Sequence, residues 1–193
     1  MSQDIPVTGY AILGLLTFGD ELTGYEVKQR ADSTLRFYWV SPAMSQIYTE
    51  LRRLTEHGLV RADARNDGGR EVTTYAITDA GQGALRAWMD QTPAGFPVLK
   101  HPVLLRLLIG HVTRPDHTRR MLHDYVAELD AASADLAEVR ESLRGGDRPG
   151  EPFRFPSLVA DWGLDYFAAE GRHARRALES LGETDDGSAD PAE

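Results

Sequence analysis

The stretch that decides the fold begins Ser41-Pro42-Ala43-Met44-Ser45-Gln46-Ile47-Tyr48-Thr49-Glu50-Leu51-Arg52-Arg53-Leu54. It passes through Gly58-Leu59-Val60 and ends in Thr74-Tyr75-Ala76-Ile77-Thr78. Met44, Ile47, Leu51 and Leu54 recur at the 3-4-3 spacing of a helix with one buried stripe. On that helix Ser45, Thr49, Arg52, Arg53 and Glu56 point away from the stripe, with Gln46 beside them and Tyr48 at the edge. Two starts compete: Ser41-Pro42 as cap and first-turn proline, or Ser45. Gly58 suits the left-handed residue that closes such a helix.

Two alternating segments follow, Leu59 to Arg65 and Glu71 to Thr78. Asn66-Asp67-Gly68-Gly69 between them supplies the positive-φ residues that a hairpin turn needs. A helix followed at once by a hairpin, with polar and basic groups outward, is the plan of a winged helix-turn-helix. In that plan the helix enters the DNA major groove and the hairpin lies along the backbone or minor groove.

Working outward, Thr8 to Phe18 is nearly all apolar and reads as a buried helix broken by Gly19-Asp20. Thr23-Gly24-Tyr25-Glu26 has the form of a capping box, opening a helix that reaches about Arg36. Phe37-Tyr38-Trp39-Val40 is an aromatic patch before the central helix. Thr78-Asp79 caps a fourth helix that carries Ala84, Leu85 and Trp88 at core spacing, and Thr92 to Pro97 has linker composition.

Beyond it the pattern is purely helical. Pro102 to His111 reads as a short apolar helix. Between Pro115 and Arg144, Leu122, Tyr125, Leu129, Ala132, Leu136, Val139 and Leu143 are spaced 3-4-3-4-3-4, an uninterrupted heptad seam. Gly145 to Pro156 breaks it. A last helix, about Ser157 to Leu181, carries one stripe through Leu164, Phe167, Gly171, Ala174, Leu178 and Leu181. A second stripe, Val159, Trp162, Tyr166 and Ala169, lies beside the first.

Two such helices form an antiparallel hairpin that leaves the second stripe uncovered, and an uncovered apolar stripe marks an interface. A second copy of the chain is the expected partner. The residues expected to build the hairpin and the dimer are Leu122, Tyr125, Leu129, Leu136, Val139, Leu143, Trp162, Tyr166, Phe167 and Leu178.

The expected fold is therefore mainly α with a small β-hairpin wing. Residues 1–91 would form a winged helix-turn-helix domain, 92–99 a linker, 100–182 a helical dimerisation and effector-response domain, and 183–193 a disordered acidic tail.

Composition narrows the function. The 193 residues carry a formal charge of −9, which excludes an indiscriminate nucleic-acid coat but not local DNA binding. From Arg36 to Arg70 six arginines face four acids, while after Thr92 12 basic residues face 18 acidic ones. There is no cysteine, hence no disulfide and no thiolate metal site. No apolar run has the length of a membrane span and the start does not resemble a signal peptide. A cytoplasmic protein without a membrane partner is expected.

The six histidines show no metal-ligand spacing, so no metal site is expected. Gly-rich phosphate loops and the G-x-S-x-G elbow are both missing, so neither an enzyme nor a cofactor is expected. The aromatics Trp39, Phe96, Trp162 and Tyr166 could line an effector pocket, though aromatics at helical spacing more often form plain core.

On these residues the chain resembles the PadR family of bacterial transcriptional regulators, in its longer subgroup with an extended C-terminal helical region. The markers are Tyr10-Ala11-Ile12-Leu13-Gly14-Leu15-Leu16, Thr23-Gly24-Tyr25-Glu26-Val27-Lys28 and Ser45-Gln46-Ile47-Tyr48. Leu51-Arg52-Arg53-Leu54, Gly58-Leu59-Val60, Tyr75-Ala76-Ile77-Thr78-Asp79-Ala80-Gly81 and Trp88 complete them. The resemblance implies a dimeric winged-helix repressor, released from DNA when a small, often phenolic or aromatic, molecule is sensed. Many members place a glycine just before the Ser/Thr of the central helix, where this chain has Ala43-Met44.

The expected partner is thus double-stranded DNA bearing a pseudo-palindromic operator. Gln46 and Thr49 are the expected base contacts; Ser45, Tyr48, Arg52 and Arg53 the expected phosphate contacts. Ser41 joins them if the helix starts there, and Arg65 and Arg70 flank a wing tip that can enter a narrow minor groove. A reading of another class is a helical protein-interaction module whose winged domain does not act on DNA. Salt dependence separates the two.

Overall fold

The computed structural model describes residues 5–19, 21–67, 70–97 and 99–186, without the side chains of 67, 70 and 183–186. The chain divides into two compact units, Met1–Phe96 and Pro97–Glu193. The break falls inside the segment with linker composition.

In the first unit, helix α1 spans Val7–Leu15 and ends earlier than its apolar composition suggests. Gly19, at φ +135°, turns the chain just beyond it. Strand β1 is two residues, Leu22–Thr23, and leads directly into α2, Gly24–Thr34. The capping box is formed: Glu26 N–H donates to Thr23 Oγ1 (3.2 Å) and Thr23 N–H to Glu26 Oε2 (2.7 Å). That backbone bond holds the Glu26 carboxyl below its ordinary range.

Helix α3, Met44–Glu56, buries Ile47, Leu51 and Leu54 completely. Each stabilises the unit by about 2 kcal/mol relative to exposure. Its end is a Schellman closure: Leu59 N–H reaches Leu54 C=O (2.9 Å) and Gly58, at φ +70°, donates to Thr55 C=O (2.9 Å).

The wing strands are β2, Val60–Asp67, and β3, Arg70–Ile77, in a three-stranded antiparallel sheet of order β1-β3-β2. Both strands reach further toward the wing tip than their alternation suggested, while β2 starts one residue later and β3 ends one residue earlier. The last pair is Asp67↔Arg70, so two glycines, not four residues, make the connection. Helix α4, Asp79–Gln91, is capped by Thr78, whose hydroxyl also donates to Gly58 C=O (2.8 Å). Gly81 lies so close to the Leu59 carbonyl that a β-carbon there would sit 2.1 Å from the oxygen. Trp88 stacks on Tyr10 at 4.7 Å between ring centres, closing α4 on α1.

The second unit holds α5 (Pro102–Leu108), α6 (Pro115–Ser142) and α7 (Arg154–Asp186). Helix α7 starts before Ser157 and continues beyond 182; residues 187–193 of the expected tail lie outside the described residues. Helices α6 and α7 are antiparallel, as the pairs Arg140–Asp161 (2.7 Å) and Arg175–Asp130 (2.9 Å) require. The seam closes inside one chain: Leu122, Leu129 and Leu136 are buried, and Leu136 lies so close to α7 that a β-carbon at Gly163 would meet its Cδ2 at 2.6 Å.

This corrects the expected dimer contacts. Leu122, Leu129 and Leu136 are spent on the intrachain hairpin, and Tyr125, Val139, Leu143, Phe167 and Leu178 are half-buried in it. Of that set only Trp162, at 78% exposure, and Tyr166 stand outward. Phe155, Leu158 and Val159 extend their row, while Leu104, Leu105, Leu108 and Val112 make another exposed row on and just beyond α5.

Candidate nucleic-acid interface

The start of α3 is at neither expected serine. Met44 is its first residue and Ala43 the cap position. Alanine has no oxygen to offer, so half of a capping box is built from the other side: Gln46 Oε1 accepts from Ala43 N–H at 3.0 Å. Ser41 is drawn off elsewhere, its hydroxyl donating to Asp32 Oδ1 (2.6 Å) within a cluster completed by Lys28. Hydrogen bonds from Lys28 and then Ser41 depress the Asp32 pKa. Ser41 thereby ties α2 to the turn before α3 and does not join the exposed face.

That face presents Ser45, Gln46, Tyr48, Thr49 and Arg52, all exposed, with Arg53 half-exposed at its margin. Thr49 donates its hydroxyl proton to Ser45 C=O (2.9 Å), leaving an oxygen lone pair and the methyl outward. Gln46 keeps both N–H donors and one oxygen lone pair. The Tyr48 ring lies over Gly24, where an added β-carbon would meet it at 2.5 Å. The glycine of the Thr-Gly-Tyr-Glu run is therefore a packing requirement of the tyrosine on the opposing helix. Arg52 has no polar partner among the described residues, whereas Arg53 stands 3.7 Å from Glu50.

Glu50 escaped the sequence reading, which counted it only as a charge. It sits on the inner side of α3 at 8% exposure, and its Oε2 has no hydrogen-bond partner among the described residues. The signal was available, since Glu50 lies three residues after Ile47 and four before Leu54, on the buried stripe itself.

On the wing, Arg65 is not free. It and Arg61 both bind the Glu21 carboxylate, Arg61 through Oε1 and Arg65 through Oε2, each at 2.5 Å. Thr74 adds a hydroxyl to Oε2 at 3.2 Å, and Arg61 also binds Asp63. Asp63 first and Glu21 next hold the Arg61 guanidinium even more firmly protonated than usual. Two wing cations are thus neutralised across the sheet by two acids. The Arg70 side chain lies outside the described residues.

Each of the four expected effector aromatics is exposed within its own unit. Phe96 is 94% exposed, Trp39 49% and Tyr166 43%, and with Trp162 none of them is core.

Residues 12–87 match the family described as transcriptional regulator PadR-like. The negative transcriptional regulator PadR of Bacillus subtilis is 30% identical over 152 residues, 78% of this chain and 81% of that one. The chain belongs to the PadR-like family of transcriptional regulators. Its fold is similar to that of Bacillus subtilis PadR in complex with operator DNA, with a TM-score of 0.80 and 26% identity over 91% of this chain and 99% of that one. It is also similar to the same protein in complex with p-coumaric acid, at TM-score 0.73 and 25% identity over 92% and 99%. The PadR-like match runs from the second half of α1 through most of α4, the part that carries the exposed α3 face and the wing. No helix among the described residues is long and apolar enough to cross a membrane.

Proposed function

We propose that this PadR-like regulator is a cytoplasmic, homodimeric repressor. On this reading it occupies a pseudo-palindromic operator through two copies of α3 and is released by a small aromatic acid. The observation that carries the reading is the α3 face: four exposed hydrogen-bonding or cationic side chains, Ser45, Gln46, Thr49 and Arg52, on a helix whose opposite stripe is wholly buried. The similarity to operator-bound PadR supports the DNA partner, and the p-coumaric acid complex supports the class of effector.

In this mechanism Gln46 offers its amide to an acceptor on a base edge and Thr49 turns its methyl toward thymine. Ser45, Tyr48, Arg52 and Arg53 hold phosphates and set the register. Arg65 and Arg70 flank the wing turn, where an arginine can enter a narrow minor groove. The row Phe155, Leu158, Val159, Trp162 and Tyr166 joins two copies, which places two recognition helices about one DNA turn apart. Residues 1–91 act as the DNA-binding domain, 92–99 as the linker and the helices that follow as the dimerisation and response domain. An effector that changes the spacing of the two α3 helices lowers operator affinity, and operator DNA lowers effector affinity by the same factor.

The test is the double variant Gln46→Ala/Thr49→Ala on specific and random duplexes. Two lost base contacts lower operator affinity by about tenfold to several hundredfold while random-duplex affinity stays nearly unchanged. Equal losses on both duplexes would refute the base-reading role.

A further inference from the structure

Helix α3 carries one side chain that neither its core stripe nor its exposed face accounts for. Glu50 stands on the buried stripe between Ile47 and Leu54, at 8% exposure. Its Oε2 is sealed from solvent without a hydrogen-bond partner among the described residues. A methionine or leucine in its place would complete an apolar stripe. Exchanging a buried charge for an apolar side chain of like volume is often neutral or stabilising, so this carboxylate works against folding.

The carboxylate faces the start of α1. Gly9, third residue of that helix, lies so near that an added β-carbon would stand 3.3 Å from Glu50 Oε2 and 2.7 Å from Ile5 Cγ2. The start of α1 has no anion of its own: Pro6 holds the cap position, no side chain caps it, and its first turn has no acid. A helix start carries about half a positive charge on its free amides. Glu50 therefore brings the missing negative charge from a neighbouring helix. Its other oxygen, Oε1, is 3.7 Å from Arg53.

This contact borders the exposed face of α3. Gln46, four residues before Glu50, and Arg53, three after it, lie on the same flank of the helix. Thr8, in the first turn of α1, lines one recess together with Ser45, Gln46, Thr49 and Glu50. A slip of α3 against α1 would therefore reshape the surface offered to a base edge. Helix α1 is itself held from its other side by the Tyr10–Trp88 stack. The apolar stripe resists separation of α3 from α1, but hydrophobic contact has no direction and leaves rotation about the α3 axis soft. A charge aimed at a helix start has a direction.

We infer that Glu50 is a positioning residue for operator reading: its carboxylate fixes the rotation of α3 against the start of α1, at the expense of stability. It touches no DNA itself and acts through Gln46 and Thr49. The inference rests on the reading of α3 as the helix that contacts base edges.

The experiment compares full-length wild type, Glu50→Met and Glu50→Gln by thermal melting and by fluorescence anisotropy. The two probes are the duplex that wild type enriches from a random pool and a scrambled duplex of equal length. Glu50→Met melts at or above the wild-type temperature, while its preference for the enriched duplex falls about tenfold, the scale of one lost base contact. Its affinity for the scrambled duplex is unchanged or higher, because Arg53 has lost an acidic neighbour. Glu50→Gln, which keeps the length and removes the charge, loses preference in the same direction. A folded Glu50→Met or Glu50→Gln with the full wild-type preference overturns the inference. So does a Glu50→Met that melts well below wild type or weakens on both duplexes equally, since Glu50 would then be a support of the fold. A wild type that prefers neither duplex sinks the base-reading role of α3 and the inference with it; a discriminating wild type beside equally discriminating variants sinks the inference alone.

Discussion

Helices α3 and α7 each bury one apolar stripe within their own unit, yet what they leave exposed is opposite in chemistry. The outer face of α3 is Ser45, Gln46, Thr49 and Arg52, all able to hydrogen-bond. The outer face of α7 is Phe155, Leu158, Val159, Trp162 and Tyr166, all large and apolar. A polar face without intrachain partners is at ease in water and costs little to expose, so its directionality suits a polar ligand read group by group. An apolar row is costly in water and is satisfied by any complementary apolar surface, most simply its own copy. The same chain therefore carries one salt-sensitive surface and one salt-indifferent surface.

The strongest way to break the comparison is to attack the stripe that α6 has already buried. Leu129→Glu/Leu136→Glu places two carboxylates at positions 6% and 1% exposed. Each costs about 3 kcal/mol or more, and the C-terminal hairpin should lose its helical circular dichroism. A fully helical dimer would show that the seam is wrongly assigned. Trp162→Lys separates the two faces of α7, because this residue is 78% exposed in the protomer. Sedimentation should show a dimer weakened at least about a hundredfold with thermal stability of the protomer retained. If protomer and dimer are lost together, Trp162 is core and not interface.

A finer test concerns the wing, where Glu21 holds Arg61 and Arg65. Glu21→Gln frees one positive charge for the DNA backbone. Affinity should rise several-fold on specific and random duplexes alike, and the log–log salt slope should steepen by about 0.9. Weaker binding by a folded variant would mean that Glu21 positions the arginines for contact.

The smallest effect is expected at Asp32. Its folded pKa lies below 3.8, so the Lys28–Asp32–Ser41 cluster stabilises above that value and stops doing so as pH falls through the folded pKa. Asp32→Asn should lower the melting temperature by about two degrees at most near pH 7, and the difference from wild type should shrink as pH falls through the lowered Asp32 pKa. A difference independent of pH would remove the charge from the explanation.

What could be read in the sequence was local. The α3 stripe, the Thr23–Glu26 capping box, the wing strands and the α6 heptads are all set by residues within a few positions of each other, and each appears where spacing placed it, the strand ends shifted by one or two residues. What could not be read depends on contacts between distant segments. Strand β1 is two residues long and exists only because β3, some fifty residues later, pairs with it. Arg65 looked free at a wing tip because the acid that binds it, Glu21, lies 44 residues away. Ser41 resembled a helix cap until Asp32 claimed its hydroxyl and Gln46 took over the capping. The junction at which His101 Nε2 lies 3.0 Å from both Glu170 Oε2 and the Tyr125 hydroxyl spans 69 residues and left no spacing signal at all. Trp162 was expected among both core aromatics and contact residues, and only the hairpin geometry decides that it faces outward.

The account stands most directly on whether the α3 face reads DNA. The deciding measurement is fluorescence anisotropy of the full chain on a duplex that it has itself enriched from a random pool. A scrambled duplex of equal length serves as the comparison, at two salt concentrations. The account predicts at least about a hundredfold preference for the enriched duplex, roughly 2.7 kcal/mol, and affinity that falls steeply with salt. Weak binding equal on both duplexes, or no enrichment at all, would contradict it and favour the helical interaction-module reading, with the apolar row of α7 as its contact surface.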